Sequence, residues 1–209
     1  MLDRILWVTG WVNVILYGLL VREMWHLWHA PIVEDVPRIA TLSLLMGFEF
    51  ILVHSGVFMS GFDRKVTLLI LVPFYGVFAL IMNSLLPGNA VLYLYMAIVF
   101  VRMRFAITNK SKKQMQQALG MSVIAVTIYF FLMMGFTFGS GLIPENGLTS
   151  TFLQASGYRD YTSSTGGLWI DEPKIPLAMG VTYFSLLIMV DLLFYGYFPW
   201  KFRKNRADL

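Results

Sequence analysis

The sequence predicts an all-α fold: a polytopic integral membrane bundle of six transmembrane helices with both termini on the cytoplasmic side. Three observations predict it. Of the 209 residues, 57% are hydrophobic and only 13% charged, about half the charged share of a soluble domain. The charges are bunched between apolar stretches that approach or exceed the ~18 residues needed to cross a bilayer. The basic residues, finally, sort to one side of a six-span arrangement.

The spans fall at about 4–25, 39–60, 66–86, 89–105, 117–138 and 176–199, within one transmembrane domain covering 1–209. The first run is too long for a cleaved signal peptide and lacks a small-x-small end. The second holds Glu49 and His54 and stops at Asp63-Arg64-Lys65. The third carries Pro73, which removes a backbone donor and kinks a helix. Pro87-Gly88-Asn89 makes a tight turn, so the third and fourth spans form an antiparallel hairpin. The fourth is short and ends at Arg102 and Arg104, and the basic stretch 106–116 after it reads as an ordinary topology signal. The fifth and sixth are joined by the only long loop, 139–175. Its glycines, its tyrosines and Trp169 offer a folded cap or a partner-docking surface as alternatives to a plain connection.

Charge sets the orientation. Arg4, Arg64 and Lys65, the group from Arg102 to Lys113, and the group from Lys201 to Arg206 share one side. Of the 16 basic residues only Arg22, Arg38, Arg159 and Lys174 fall on the other. Loop 139–175 is therefore expected outside, and both termini in the cytoplasm, of a protein in a bacterial inner membrane. The net charge of +4 belongs to membrane edges, so no nucleic-acid partner is implied. The chain has no cysteine, which excludes a disulfide framework, a thiol nucleophile and a thiolate metal site.

Glu49, His54 and Asp191 are ionisable groups inside apolar runs. Each costs roughly 2.5–3.5 kcal/mol at membrane depth, so each must face protein or water. Asn13 and Tyr17 join them as uncharged polar groups. His54 stands ten residues before Arg64, and Asp191 ten before Lys201. That puts both ~15 Å from the cytoplasmic boundary and predicts a His54–Asp191 contact. Glu49 follows Arg38 by eleven residues, and Asn13 is nine from both Arg4 and Arg22. Both then lie near the midplane, which predicts an Asn13–Glu49 hydrogen bond. Glu49 and His54 are ~140° apart around their helix, so they form no direct dyad. Ala40, Ser43 and Gly47 lie on the His54 side, and Gly56 and Ser60 on the Glu49 side. These small residues allow close packing on both sides and make this a central helix.

A second cluster, "VREMWHLWHAP" at 21–31, holds Glu23, His26 and His29. These are weak metal candidates, because three ligands along one helix do not converge unaided. Trp25 and Trp28 beside them read more simply as an interfacial aromatic belt. One haem cannot bridge His54 to His26 or His29, which sit near opposite faces. Ser140 in Gly139-Ser140-Gly141 has no histidine at its depth, and neither a phosphate loop nor an H-E-x-x-H motif occurs. No cofactor is expected, and enzymatic chemistry is not favoured. Two functions remain. One is a small proton-linked transporter or channel-like protein using Glu49, His54 and Asp191, with Asn13 in support. The other is a non-catalytic subunit or scaffold that docks through 139–175 onto other membrane subunits or a second copy.

Overall fold

The computed structural model describes residues 2–61, 66–85, 89, 92–93, 96 and 112–207. The chain is 83% helical and has no strand among the described residues. The long helices are α1 (Leu2–His29), α2 (Val36–Gly61), α3 (Val72–Asn83), α4 (Lys112–Phe138) and, last in the chain, α8 (Lys174–Ala207). Between α4 and α8 lie three short helices: α5 (Ser150–Ala155), α6 (Tyr158–Tyr161) and α7 (Leu168–Asp171).

Three of these helices are long and apolar enough to cross a membrane, not the six that the sequence predicts. Their apolar segments are Val33–His54 in and just before α2, Leu119–Phe138 in α4, and Lys174–Leu193 in α8. Expected span 4–25 forms a continuous helix, but Arg22, Glu23, His26 and His29 crowd its last turns. Expected span 66–86 is cut short. Thr67–Leu71 forms a π-turn and the regular helix α3 has only 12 residues. Pro73 explains the break: its ring would clash with the carbonyl four residues back, and the wider π-turn relieves that clash. Span 89–105 lies outside the described residues, apart from Asn89, Leu92, Tyr93 and Met96. Asn83 reaches two of these described residues. It donates to Asn89 Oδ1 at 3.1 Å and accepts from the Leu92 N–H at 3.1 Å. Pro87 and Gly88 lie outside the described residues.

The bundle is organised around α2 and α8. Of α2's apolar segment 67% is buried, against 56% for α8 and 6% for α4, so α4 is peripheral and α2 central. Met24 and Met46 both meet Gly180, and Tyr17 stacks on Phe184 at 5.6 Å between ring centroids. Residue order along these pairs makes α1 antiparallel to α8, and α2 parallel to it. The N-terminus of α1 and the C-terminus of α8 therefore lie at the same end. At the other end, residues 139–173 fold into a cap. Thr149 caps α5 by accepting the Phe152 N–H at 3.2 Å; such a bond satisfies an otherwise orphaned donor. Gly157 has a φ of 75°, which glycine adopts without strain, and it turns the chain from α5 into α6. Leu148, Leu153, Tyr158 and Ile170 bury themselves against the upper parts of α2 and α8. The loop is a folded cap.

Two glycines mark the tightest approaches. A Cβ on Gly147 would lie 2.2 Å from Pro31 Cδ and 2.7 Å from the His29 carbonyl oxygen, both rigid atoms. On Gly180 it would lie 2.3 Å from Met24 Sδ, the far end of a flexible side chain. Gly147→Ala is therefore expected to cost about 1–3 kcal/mol through overpacking. Gly180→Ala is expected to cost less, because the thioether can swing aside and alanine favours the helix by about 1 kcal/mol. Melting temperatures of the two variants in detergent check the order; equal losses would contradict it.

Candidate functional site

Glu49 lies midway along α2 and is only 4% exposed. It is on the α2 face that meets α8 and α4. Tyr183 of α8 donates its hydroxyl to Glu49 Oε1 at 3.2 Å. Tyr129 of α4 is fully buried beside it, its ring meeting Tyr183 edge-on at 5.3 Å. The Tyr129 hydroxyl donates to the Met46 carbonyl oxygen of α2. Two tyrosines from two helices thus close around one carboxyl. Burial of a carboxyl is tolerable only with such donors.

Asn13 forms no hydrogen bond with Glu49, and that expected pair is not made. Here α1 packs along α8 rather than along α2. The expected His54–Asp191 contact is also absent. His54 Nδ1 bonds the Phe50 carbonyl oxygen one turn back on its own helix, and its ring lies against Phe50 at 4.6 Å. A ring nitrogen facing a carbonyl oxygen must carry the proton, so Nδ1 is the donor in this bond. Asp191 is 6% exposed. Its Oδ2 is buried and has no hydrogen-bond partner among the described residues. Matching depth on two helices does not fix direction around either axis, and here the two side chains diverge. Ala40 and Ser43 are buried as expected for a packed stripe, whereas a Cβ at Gly47 would meet nothing within 4 Å. Gly56 and Ser60 have no described side-chain surroundings.

The Glu23–His26–His29 cluster resolves into separate partnerships. Among the described residues no group of three or more His, Cys, Asp or Glu could hold a metal ion. Glu23 Oε1 accepts from Arg38 Nη1 at 2.8 Å. His26 Nε2 lies 3.7 Å from Oδ2 of Asp35. His29 Nδ1 bonds the Trp25 carbonyl oxygen at 3.0 Å, and its Nε2 lies 3.2 Å from Asn146 Nδ2. Helical spacing sends the three side chains to three neighbours, so they do not converge.

The hub of this corner is Asp35, which the sequence reading passed over. It is fully buried at the entry to α2. It accepts the Ile32 N–H at 3.0 Å, as a carboxylate does at the third position of a capping box. It also takes a short charge-assisted bond from Arg38. The cap docks on the same corner. Trp28 Nε1 donates to the Pro144 carbonyl oxygen at 2.9 Å, and the Gly147 N–H to the Trp28 carbonyl oxygen at 3.1 Å. Trp28 is thus an anchor for the cap, while Trp25 remains 52% exposed as an edge residue would. Lys174 adds contacts to Glu172 at 3.6 Å and Glu145 at 3.9 Å. Within the cap, the Tyr158 hydroxyl donates to the Ile170 carbonyl oxygen at 2.9 Å. Burial, with the Asp171 charge nearby, pushes that hydroxyl well above the ordinary tyrosine range, so it stays a donor.

Glu34, Asp35 and Pro37 ahead of an apolar run are the acidic residues and proline of a helix start, although nothing in them singles out Asp35 as the buried one. Tyr129 and Tyr183 carried no such signal, being aromatic residues among many in apolar runs. No family model matches the chain, and no curated protein or solved structure does either.

Two expected outcomes follow from this geometry. Tyr183→Phe removes a donor from a buried carboxyl and is expected to cost about 1–3 kcal/mol in unfolding free energy. The same change at exposed Tyr93, which is 70% exposed, is expected to cost nothing measurable. Arg38→Gln deprives buried Asp35 of its cation and is expected to cost about 2–3 kcal/mol, below the usual range for a buried pair because Arg38 itself is half exposed. Glu23→Gln, a surface pair partner, is expected to stay within about 0.5 kcal/mol. Thermal and denaturant unfolding of the purified variants measures both.

Proposed function

We propose that this chain is a small multi-pass membrane protein that carries protons, or a solute coupled to them, with Glu49 and Asp191 taking up and releasing the proton. The observation that carries the reading is Asp191, a buried carboxyl lacking a protein hydrogen-bond partner among the described residues. A carboxyl used only to hold helices together acquires donors, as Glu49 has from Tyr183. One left without them at membrane depth is costly and marks an ion or proton pathway by default. Tyr183 and Asp191 are eight residues apart on one helix, or ~12 Å. Water between them completes the path in this reading. His54 stands five residues beyond Glu49 on α2, with Nε2 left to accept a passing proton. Asn13 falls outside the path.

In this reading the cap faces outward and both termini are cytoplasmic, in a bacterial inner membrane. Support comes from the placement of the α1 N-terminus and the α8 C-terminus at the end away from the cap. Arg22, Arg38, Arg159 and Lys174, the few basic residues of the other side, all lie at the cap end.

The test is proton flux into proteoliposomes under an imposed pH gradient, read with an internal pH-sensitive dye. Asp191→Asn and Glu49→Gln are each expected to abolish it while the melting temperature survives. Wild-type flux in both variants, or none in the wild type, would overturn the reading. A second reading, a non-catalytic subunit docking through 139–175, is favoured by the exposed apolar edge of the cap, where Phe138 is 79% and Leu142 91% exposed. Co-purification of stoichiometric partner chains in mild detergent would favour it over transport.

A further inference from the structure

The cap contains a cleft that neither the proton path nor the docking edge uses. It lies between α6, the turn 162–166 and the end of α7, and has a volume of about 200 Å³. At ~30 Å³ per water, that is room for six or seven waters, or for a solute of similar heavy-atom count. Its floor is rigid and its donors are already committed. Thr162 Oγ1 donates to the Tyr158 carbonyl oxygen at 2.9 Å, and Thr165 Oγ1 to the Leu85 carbonyl oxygen at 2.6 Å. The Tyr158 hydroxyl is held by Ile170, and Gly167, at a φ of 132°, fixes the turn beside it.

The walls differ from the floor. Arg159 and Asp171 both line the cleft and both are exposed. Among the described residues they form no salt bridge, either with each other or with a third group. A guanidinium and a carboxylate that face one small space without joining leave a gap between opposite charges. An anion alone would meet the Asp171 carboxylate, and a cation alone the Arg159 guanidinium. A molecule carrying both charges satisfies both walls, its carboxylate on the guanidinium fork and its ammonium on the carboxylate. The Ser163 hydroxyl stands at the same rim and offers a neutral donor and acceptor.

We propose that this cleft binds a small zwitterion, an α-amino acid of the size of alanine or serine, with its carboxylate on Arg159 and its ammonium on Asp171. The site stands apart from Glu49 and Asp191 and serves either a transporter or a subunit.

Isothermal titration of the full chain in detergent, with L-serine and L-alanine as probes, tests it. Either amino acid is expected to bind saturably, with acetate and methylamine at least tenfold weaker and L-tryptophan excluded by size. Arg159→Gln and Asp171→Asn are each expected to weaken binding about tenfold or more, since a hydrogen bond to a charged group is worth about 1.5–3 kcal/mol. Their ligand-free melting temperatures are expected to match the wild type, because neither side chain forms a salt bridge among the described residues. No saturable binding of serine or alanine would overturn the proposal. So would acetate binding as tightly as serine, which would mean an anion site only, or wild-type affinity in both variants. The comparison of serine with acetate and methylamine needs no variant, so it decides even if a substitution disturbs the fold.

Discussion

The structure depends on the missing side chain at Gly180. Met24 from α1 and Met46 from α2 fill the space a Cβ would take there, so two helices approach α8 at one level. The consequences run along the seam. One turn further on, Tyr183 reaches Glu49, and Tyr129 of α4 closes over both. Alanine at 180 is accommodated by the flexible Met24 thioether, whereas a side chain too bulky for that would push α1 and α2 outward. Close packing through small residues is how apolar helices associate when lipid removes the hydrophobic drive between them. Methionine suits the contact, since an unbranched thioether can fill an irregular gap.

A second joint holds the cap end. Pro31 and the His29 carbonyl leave no room for a side chain at Gly147, and this lets the cap's backbone lie directly on the end of α1. Asp35 organises the neighbouring turn with one carboxylate. It starts α2 by accepting the Ile32 N–H and holds Arg38, which in turn reaches Glu23 on α1. The two joints have different chemistry because their surroundings differ. At the seam, packing and one hydroxyl–carboxyl bond suffice; at the end, water is near and ions can be shared.

What the sequence made legible was periodicity, composition and depth. Continuous apolar runs revealed α2, α4 and α8. Pro73 marks the irregularity in the third run, where a π-turn precedes the regular helix. What it left hidden was rotation and partner choice. His54 and Asp191 were expected at matching levels, yet His54 turns its ring back on Phe50. Asn13 was expected at the depth of Glu49, yet α1 lies against α8. Flanking charges measure distance along an axis and say nothing about which helix stands beside it. The same limit inflated the span count, because an apolar run of adequate length in sequence becomes a short helix once Pro73 forces a π-turn into it.

The contrast between Glu49 and Asp191 is the most informative feature of the buried polar chemistry. Both carboxyls are buried, Glu49 at 4% and Asp191 at 6% exposure, and burial without donors is costly. Glu49 offsets that cost with the Tyr183 hydroxyl. Asp191 has no comparable donor among the described residues, although the same helix supplies Tyr183 two turns away. If carboxyls were retained here only to bind helices together, the second would be expected to carry a donor like the first, because an apolar residue would otherwise pack there at lower cost. Selection for packing alone therefore accounts for Glu49 and fails to account for Asp191. A group that must alternately hold and release a proton fits an environment that does not commit its oxygens to a fixed donor. In the proton-carrier reading proposed above, this asymmetry makes Asp191 the group that alternates and Glu49 both a structural tie and a relay.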